Sequence, residues 1–503
     1  MAPPLTIFSL LVTLGTTAFG VPVKENSTAV QHKAKYGYII VGGGLSGLVA
    51  ANRLTENRKV SVLVIENGVI DNRPASRVPY FANINVDNYY PITSGPEPFM
   101  HNKIWGVHVR NVVGGGSVVN GMQFDRGADA DYDAWEQLGS PGWGYSGLAK
   151  YFKKSTHFDG PSEATRERLN ITYDAGAYGN GPVKASIPSF QYDDYKNIMG
   201  SFLAEDLPHT VEGFSRPLGT FWTPNTIDNS TKERCHARFA YYDPVRGRPN
   251  LHLLTNTHVD EILFKSSRKL TAHGVRFTNN VNAAAHKYQN ITAQISKQNA
   301  TAYLPERYKN SKALLKGFLA QRKILIEHYL SDEAATGEYP IQPWGRATTA
   351  VQKPLSRGTL TLNLTHPAAN PIVVRNAFQN PVDKQVLGEL VRWNRKHWTT
   401  QPLLQRYSPV ETVPGAQYQT DDEIFDASIN AAVLDPTYAH SSGGCALMPE
   451  ELGGCVDPKL RVYGVDRLRI VGASILPLIP AAHLQATMYA VAEKAADIIK
   501  GLD

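Results

Sequence analysis

Three glycines and one acid carry the clearest chemical signal in the chain. Gly42, Gly44 and Gly47 fall in the order G-x-G-x-x-G within Gly42-Gly43-Gly44-Leu45-Ser46-Gly47, and Glu66 follows about twenty residues later. In such an array Gly42 permits a tight turn, Gly44 leaves room for the backbone to approach a pyrophosphate, and Gly47 lets a helix lie close to a strand. The first helical turn, at Leu45 and Ser46, would aim free N–H groups and a partial positive charge at phosphates. A carboxylate at Glu66 can accept hydrogen bonds from a ribose diol, and it would repel a 2′-phosphate. The spacing therefore predicts dinucleotide binding, with a flavin or a nicotinamide nucleotide left open and NADP disfavoured.

The flanking residues are those that must hold this array. Tyr38-Ile39-Ile40-Val41 is a short β-branched run of the kind found in buried parallel strands. Leu48, Ala51 and Leu54 recur at helical spacing after the glycines, and Val60 to Ile65 forms the next strand. A second small-residue cluster, Val113-Gly114-Gly115-Gly116-Ser117-Val118-Val119-Asn120-Gly121, could turn its backbone N–H groups inward as an anion nest. Among the fifteen histidines, spacing alone singles out none.

The chain has 503 residues, long enough for more than one core. Apolar residues make up 42% and charged ones 19%, a globular balance that excludes general disorder. The net charge is only +6 and no run of like charges occurs, so neither a nucleic-acid partner nor a membrane surface is expected. Three cysteines lack zinc-ligand spacing, and no metal site is expected. Leu5 to Gly15 has the length of a signal-peptide core, and Ala18-Phe19-Gly20 offers a cleavage pattern. Residues 1–20 are thus expected to be a leader, and the protein to be secreted. Asn-x-Ser/Thr sequons at Asn26, Asn170, Asn229, Asn290, Asn299 and Asn363 are candidate glycosylation sites there. Cys445 and Cys455 would close a small disulfide in an oxidising compartment, leaving Cys235 as the odd thiol.

Further motifs extend the pattern along the chain. Downstream of the second cluster come Arg126-Gly127, Asp131-Tyr132-Asp133-Ala134-Trp135, Gly142-Trp143 and Tyr151 to Ser155. Arg248-Pro249-Asn250-Leu251, Pro354-Leu355-Ser356-Arg357-Gly358-Thr359-Leu360 and a block from His440 to Lys500 complete it. This arrangement resembles the glucose–methanol–choline (GMC) oxidoreductases of fungal type, flavoenzymes that oxidise alcohols. The resemblance implies FAD, with Val113, Gly116, Ser117, Asn120 and Gly121 against the flavin and its pyrophosphate. It implies that Val259 meets the adenine through its backbone, and that Ala473 is a further cofactor contact. Some members attach FAD through a histidine in the second glycine loop; none lies between Arg110 and Asp125 here, so FAD is expected to be non-covalent.

The resemblance also gives the catalytic pair, His440 and His483. Hydride transfer from an alcohol carbon to flavin N5 needs a base for the hydroxyl proton, and imidazole titrates in the right range. His440 is read as the base and His483 as its partner and orienter. Oxygen or another acceptor would then take the electrons. The helix after His483, Ala486 to Ile499, would point its positive end at the reduced flavin.

Two departures stand out. Gly472 occupies a place where family members usually carry an acid. Residues 278–300 read as a polar linker where members have a strand and part of the pocket wall. A damaged gene product, a naturally shortened enzyme and a protein that has lost oxidation all fit that gap. The expected fold is α/β, a Rossmann-like FAD domain (36–75, 102–155, 231–277 and 440–503) interleaved with an antiparallel-sheet substrate domain (76–101, 156–230 and 278–439). The expected function is a secreted alcohol oxidase or dehydrogenase, with a role in fungal secondary metabolism. A non-redox cyclase-type homologue and an inactive shortened homologue are the alternatives.

Overall fold

β1 (Tyr38–Val41), α1 (Leu45–Leu54) and β2 (Val62–Ile65) form the strand–turn–helix–strand unit that the glycine spacing requires. The computed structural model describes residues 35–79, 89–204, 210–259, 261–265, 270–272, 289–341, 347–366, 369–437 and 439–503. The expected leader and the sequon at Asn26 lie outside these residues. β2 is the central strand of a parallel sheet, paired with β1 (Tyr38↔Val62) and with β3 (Leu251–Leu254; Val62↔Leu251). Val62 and Val64 are fully buried, because a strand flanked on both edges and covered by α1 meets no solvent. β2 starts two residues later than its apolar run. Asn250 explains this: its Nδ2 donates to the carbonyls of Thr55, Asn57 and Val60 and pins that stretch as a turn.

The helix Leu484–Lys500 packs on α1. Ala486, Ala490, Ala492, Ala495 and Ala496 are fully buried, and their small side chains permit the close approach. Its buried Glu493 receives Arg53 through Nε (2.9 Å) and Nη2 (2.7 Å), the Tyr241 hydroxyl at 2.9 Å, and Lys154 at 3.2 Å. One carboxylate thus ties this helix to α1 and to the helix Tyr145–Ser155.

The remaining elements lie outside this parallel-sheet unit. Here the linker reading of residues 278–300 is corrected. Residues 278–288 lie outside the described set, but Gln289–Lys297 is a helix packed on the helices Lys312–Leu330 and Pro381–Thr400. Ile291 (5% exposed) and Ile295 (0%) stand four apart, so both fall on the inner face although their neighbours are polar. Within the expected antiparallel-sheet part, Thr359–Thr361 pairs antiparallel with Ile372–Val374. It stays a two-stranded ribbon rather than joining a broad sheet, and Gly337–Glu338 pairs separately with Ala350–Val351. Cys445 and Cys455 form the disulfide, and Cys235 is a buried free thiol. Asn170 and Asn299 are exposed, Asn229 and Asn363 half-buried, and Asn290 lies within the helix Gln289–Lys297.

Candidate active site

The glycine turn builds a cradle at the open end of α1. Leu48 to Ala51 are buried, whereas Gly44, Leu45, Ser46 and Gly47 keep partial exposure, so the helix body is packed and its N-terminus is accessible. Gly47 has no alternative, since a Cβ there would stand 2.0 Å from the Gly42 carbonyl oxygen. Gly47→Ala is therefore expected to push α1 off β1 and yield protein with most of its cofactor lost, read as the flavin-to-protein absorbance ratio after purification.

The second loop closes on the first. Gly114 donates its N–H to the Gly43 carbonyl at 2.7 Å, and Gly115 lies against Gly44. Val113 and Ser117 are buried, Gly116 and Gly121 exposed and Asn120 half-buried, so the loop offers backbone outward from a fixed base. The Ser117 hydroxyl donates to the Gly114 carbonyl (2.6 Å) and accepts from the Ala237 N–H (3.1 Å). Glu66 is 5% exposed and accepts the N–H groups of Gly43 and Gly68, each at 2.7 Å. Burial raises its pKa against those two bonds. Glu66 thus holds the glycine turn itself, a role beyond the ribose contact that spacing suggests, and each oxygen retains a second lone pair.

His440 and His483 meet with ring centroids 6.0 Å apart and planes nearly perpendicular at 86°. They arrive on separate segments. The chain after His440 runs along residues 473–475, where Gly443 donates to the Ala473 carbonyl and Cys445 to that of Ser474. His483 is the residue immediately before the C-terminal helix. Gly472, which stands where an acid is expected, has φ +146° with ψ −175°. That backbone region is essentially reserved for glycine, so the absent carboxylate follows from the turn's geometry.

The two imidazoles are biased in opposite directions. Burial, and then the charge of His483, hold His440 well below the usual histidine range, so it is neutral. Burial also disfavours charge on His483, but the Glu338 and Asp125 carboxylates outweigh it and raise its pKa to about 9. Asp125 lies 3.1 Å from His483 Nδ1 and Glu338 lies 3.6 Å from it. Burial raises Glu338 to about 7, against the charge of His483, and Gln352 Nε2 donates to it at 2.6 Å. With Nδ1 turned to carboxylates, His483 Nε2 is a buried N–H without a partner among the described residues. The site can thus accept a proton at one imidazole and present a cationic donor at the other. No motif marked Asp125 or Glu338, because their importance lies in what they face.

A buried ion pair sets the His483 segment. Lys353 and Asp131, each 1% exposed, are in direct contact. Lys353 also donates to the Ile479 carbonyl at 3.1 Å, while Asp131 accepts the Ala481 N–H at 2.9 Å and the Ala128 N–H at 3.0 Å. Val259, 6% exposed, follows β3. It lies apart in sequence from the two loops, and its side chain packs inward.

The residues present fit FAD. The cradle requires a glycine where a Cβ would collide, the second loop faces it, and buried donors of Arg234 and His483 stand unpaired.

The sequence model of the GMC oxidoreductase family matches residues 36–302 in its N-terminal part and 354–492 in its C-terminal part. Dehydrogenase xptC of Emericella nidulans is 29% identical, covering 95% of this chain and 96% of the relative. That alignment extends over 599 residues, more than the 503 of this chain, so the relative holds internal segments that this chain lacks. Oxygen-dependent choline dehydrogenase of Paraburkholderia phymatum is 28% identical over 93% of both chains. Among solved structures, an FAD-dependent oxidoreductase from Chaetomium thermophilum superposes with a TM-score of 0.85 at 28% identity, covering 93% of this chain and 99% of that one. A fungal aryl-alcohol oxidase gives 0.82 at 26% identity, covering 94% and 100%.

Proposed function

We propose that this chain, which belongs to the GMC oxidoreductase family and is an FAD-dependent oxidoreductase, oxidises an alcohol to the aldehyde or ketone. The observation that carries this reading is the geometry of the histidine pair: His440 and His483 face each other with ring centroids 6.0 Å apart, and Asp125 and Glu338 lie 3.1 and 3.6 Å from His483 Nδ1. FAD, when bound, supplies the hydride acceptor. His440 takes the hydroxyl proton as the carbon gives up its hydride. His483 donates from Nε2 to the alcohol oxygen and favours the negative charge that develops there. Asp125 fixes the imidazole plane through Nδ1, so that the free N–H points to one place. Residues 42–47, 113–121 and Glu66 hold the cofactor, and the absence of a histidine from residues 111–124 supports non-covalent binding.

The carboxylates of Asp125 and Glu338 beside the pair favour a neutral alcohol over an anionic one. An aryl alcohol agrees with the name of the fungal aryl-alcohol oxidase that the chain resembles, and a secondary-metabolite intermediate is the second substrate class we propose. We also propose passage through the secretory pathway, supported by the disulfide, the exposed sequons and the N-terminal apolar run. The test is the visible spectrum of the purified protein, before and after anaerobic addition of a panel of neutral alcohols. Bleaching of the flavin band supports oxidation; a bound flavin that no alcohol in a broad panel reduces argues against it.

Activity in this reading needs His440 unprotonated and His483 protonated. The acid limb of kcat/KM is therefore expected well to the acid side of the ordinary histidine range, because burial and the charge of His483 lower the pH at which His440 binds a proton. The alkaline limb is expected near pH 9, where His483 loses its own. Asp125→Asn removes one carboxylate that keeps His483 charged, so its alkaline limb should move to lower pH while the acid limb stays. A pH–rate profile in which both limbs are unchanged would remove Asp125 from this role.

A further inference from the structure

Arg234 is a buried cation without a counter-charge among the described residues. Its side chain is among the largest that are fully enclosed, at 1% exposure. Nη1 donates to the Asn120 carbonyl (2.8 Å), the Asn120 Oδ1 (2.9 Å) and the Ser117 carbonyl (3.3 Å). Nε and Nη2 are buried with no partner among the described residues, and no carboxylate pairs with the group. Its surroundings add positive charge instead. Arg110 lies close enough to depress it, and the neighbouring His236 is neutral, pushed down to about 3 by burial and the adjoining guanidinium groups. An enclosed guanidinium costs several kcal/mol unless something negative answers it.

The groups that Arg234 holds indicate what that is. Ser117 and Asn120 belong to the loop whose Gly115 touches Gly44 of the dinucleotide turn. At its other end, Asn120 Nδ2 donates to Gln485, two residues beyond His483. The loop backed by Arg234 therefore bridges the phosphate cradle and the histidine pair. Two negative charges are candidates along that path: the pyrophosphate, present in either redox state, and the charge the ring acquires on reduction. The pyrophosphate already has the N-terminal end of α1, whereas the ring end of the loop is where Asn120 and Arg234 meet.

We propose that Arg234 is an electrostatic positioning residue for the reduced cofactor, raising its reduction potential by answering the negative charge gained on reduction. Two electrons and one proton, delivered together as a hydride by substrate or, in a dithionite titration, as two single electrons from dithionite with a proton from water, leave the flavin one unit more negative. A fixed cation close by favours that form, and the Asn120 bonds hold the cation in place. This inference rests on FAD binding and is independent of which alcohol, if any, is oxidised.

The test compares the wild-type holoenzyme with Arg234→Gln and Arg234→Lys. Midpoint potentials come from dithionite titration with a reference dye, and the dissociation constant of oxidised FAD is measured separately. Arg234→Gln should weaken the preference for reduced over oxidised cofactor at least tenfold, a two-electron potential about 30 mV more negative. Oxidised FAD should bind within a few-fold of wild type, and Arg234→Lys, which keeps the charge, should restore most of the potential. A potential unchanged in Arg234→Gln overturns the proposal. So does an equal shift in Arg234→Lys, which would make loop packing the agent. Loss of oxidised FAD from Arg234→Gln, or a failure of that variant to fold, with Arg234→Lys at a shifted potential, would also overturn it and assign Arg234 to the pyrophosphate or the scaffold. If Arg234→Gln cannot be obtained, a wild-type potential in Arg234→Lys together with wild-type affinity for oxidised FAD supports the charge.

Discussion

His440→Ala is expected to slow anaerobic flavin bleaching by an alcohol by about 10²–10⁴-fold, the usual contribution of a positioned general base. The oxidised spectrum and thermal midpoint should stay close to wild type, because the loop that carries His440 is fixed elsewhere. That loop is anchored by Gly443 to Ala473, Cys445 to Ser474 and Leu447 to Ile475, and by the disulfide. The effect should fall on kcat and on kcat/KM alike, since the proton moves only in the transition state. Raising the pH should rescue part of the loss, because hydroxide or an ionised alcohol then replaces the missing base. Bleaching at the wild-type rate in His440→Ala would transfer the base role to His483. That transfer would need a neutral His483, contrary to the two carboxylates against its Nδ1.

Asp131→Ala should produce the largest loss of stability among single changes at the site, about 3–5 kcal/mol, the range for breaking a buried pair by removing one partner. Three groups lose their acceptor at once: the Lys353 ammonium and the Ala128 and Ala481 N–H groups. Lys353 would then keep only the Ile479 carbonyl inside a dry interior. Denaturant unfolding of the two proteins checks the magnitude. A double variant, Asp131→Leu with Lys353→Met, removes both charges and should recover much of the stability. It should not recover activity, because the Ile479–Ala481 segment leading to His483 has then lost both tethers. A loss below about 1 kcal/mol in Asp131→Ala, the size seen for exposed pairs, would show the pair to be dispensable.

The local units were legible in the sequence to the extent that their cause is local. Alternation, helical spacing and the positions of Gly42, Gly44 and Gly47 suffice for β1, α1 and β2, since each depends on neighbours within a few residues. The start of β2 was misplaced because a side chain from residue 250 decides it. Gln289–Lys297 was read as a linker because its composition is polar, and two isoleucines on one face outweigh composition once a surface is there to receive them. Gly472 looked like a lost acid, whereas its φ makes it a backbone necessity.

By itself, then, the sequence determined a dinucleotide cradle, a second glycine loop, and two histidines whose surrounding motifs resemble a flavoenzyme family. Tertiary structure alone decided their chemistry. Asp125, Glu338 and His483 are scattered over most of the chain, and their joint burial biases one imidazole toward its charged form and its neighbour toward the neutral one. Lys353 and Arg234 read in sequence as ordinary basic residues. Only enclosure turns the first into the anchor of the His483 segment and the second into an unanswered charge. A charge acquires its energetic meaning from the dielectric and the partners around it, and those are set by packing between segments that the linear order keeps apart.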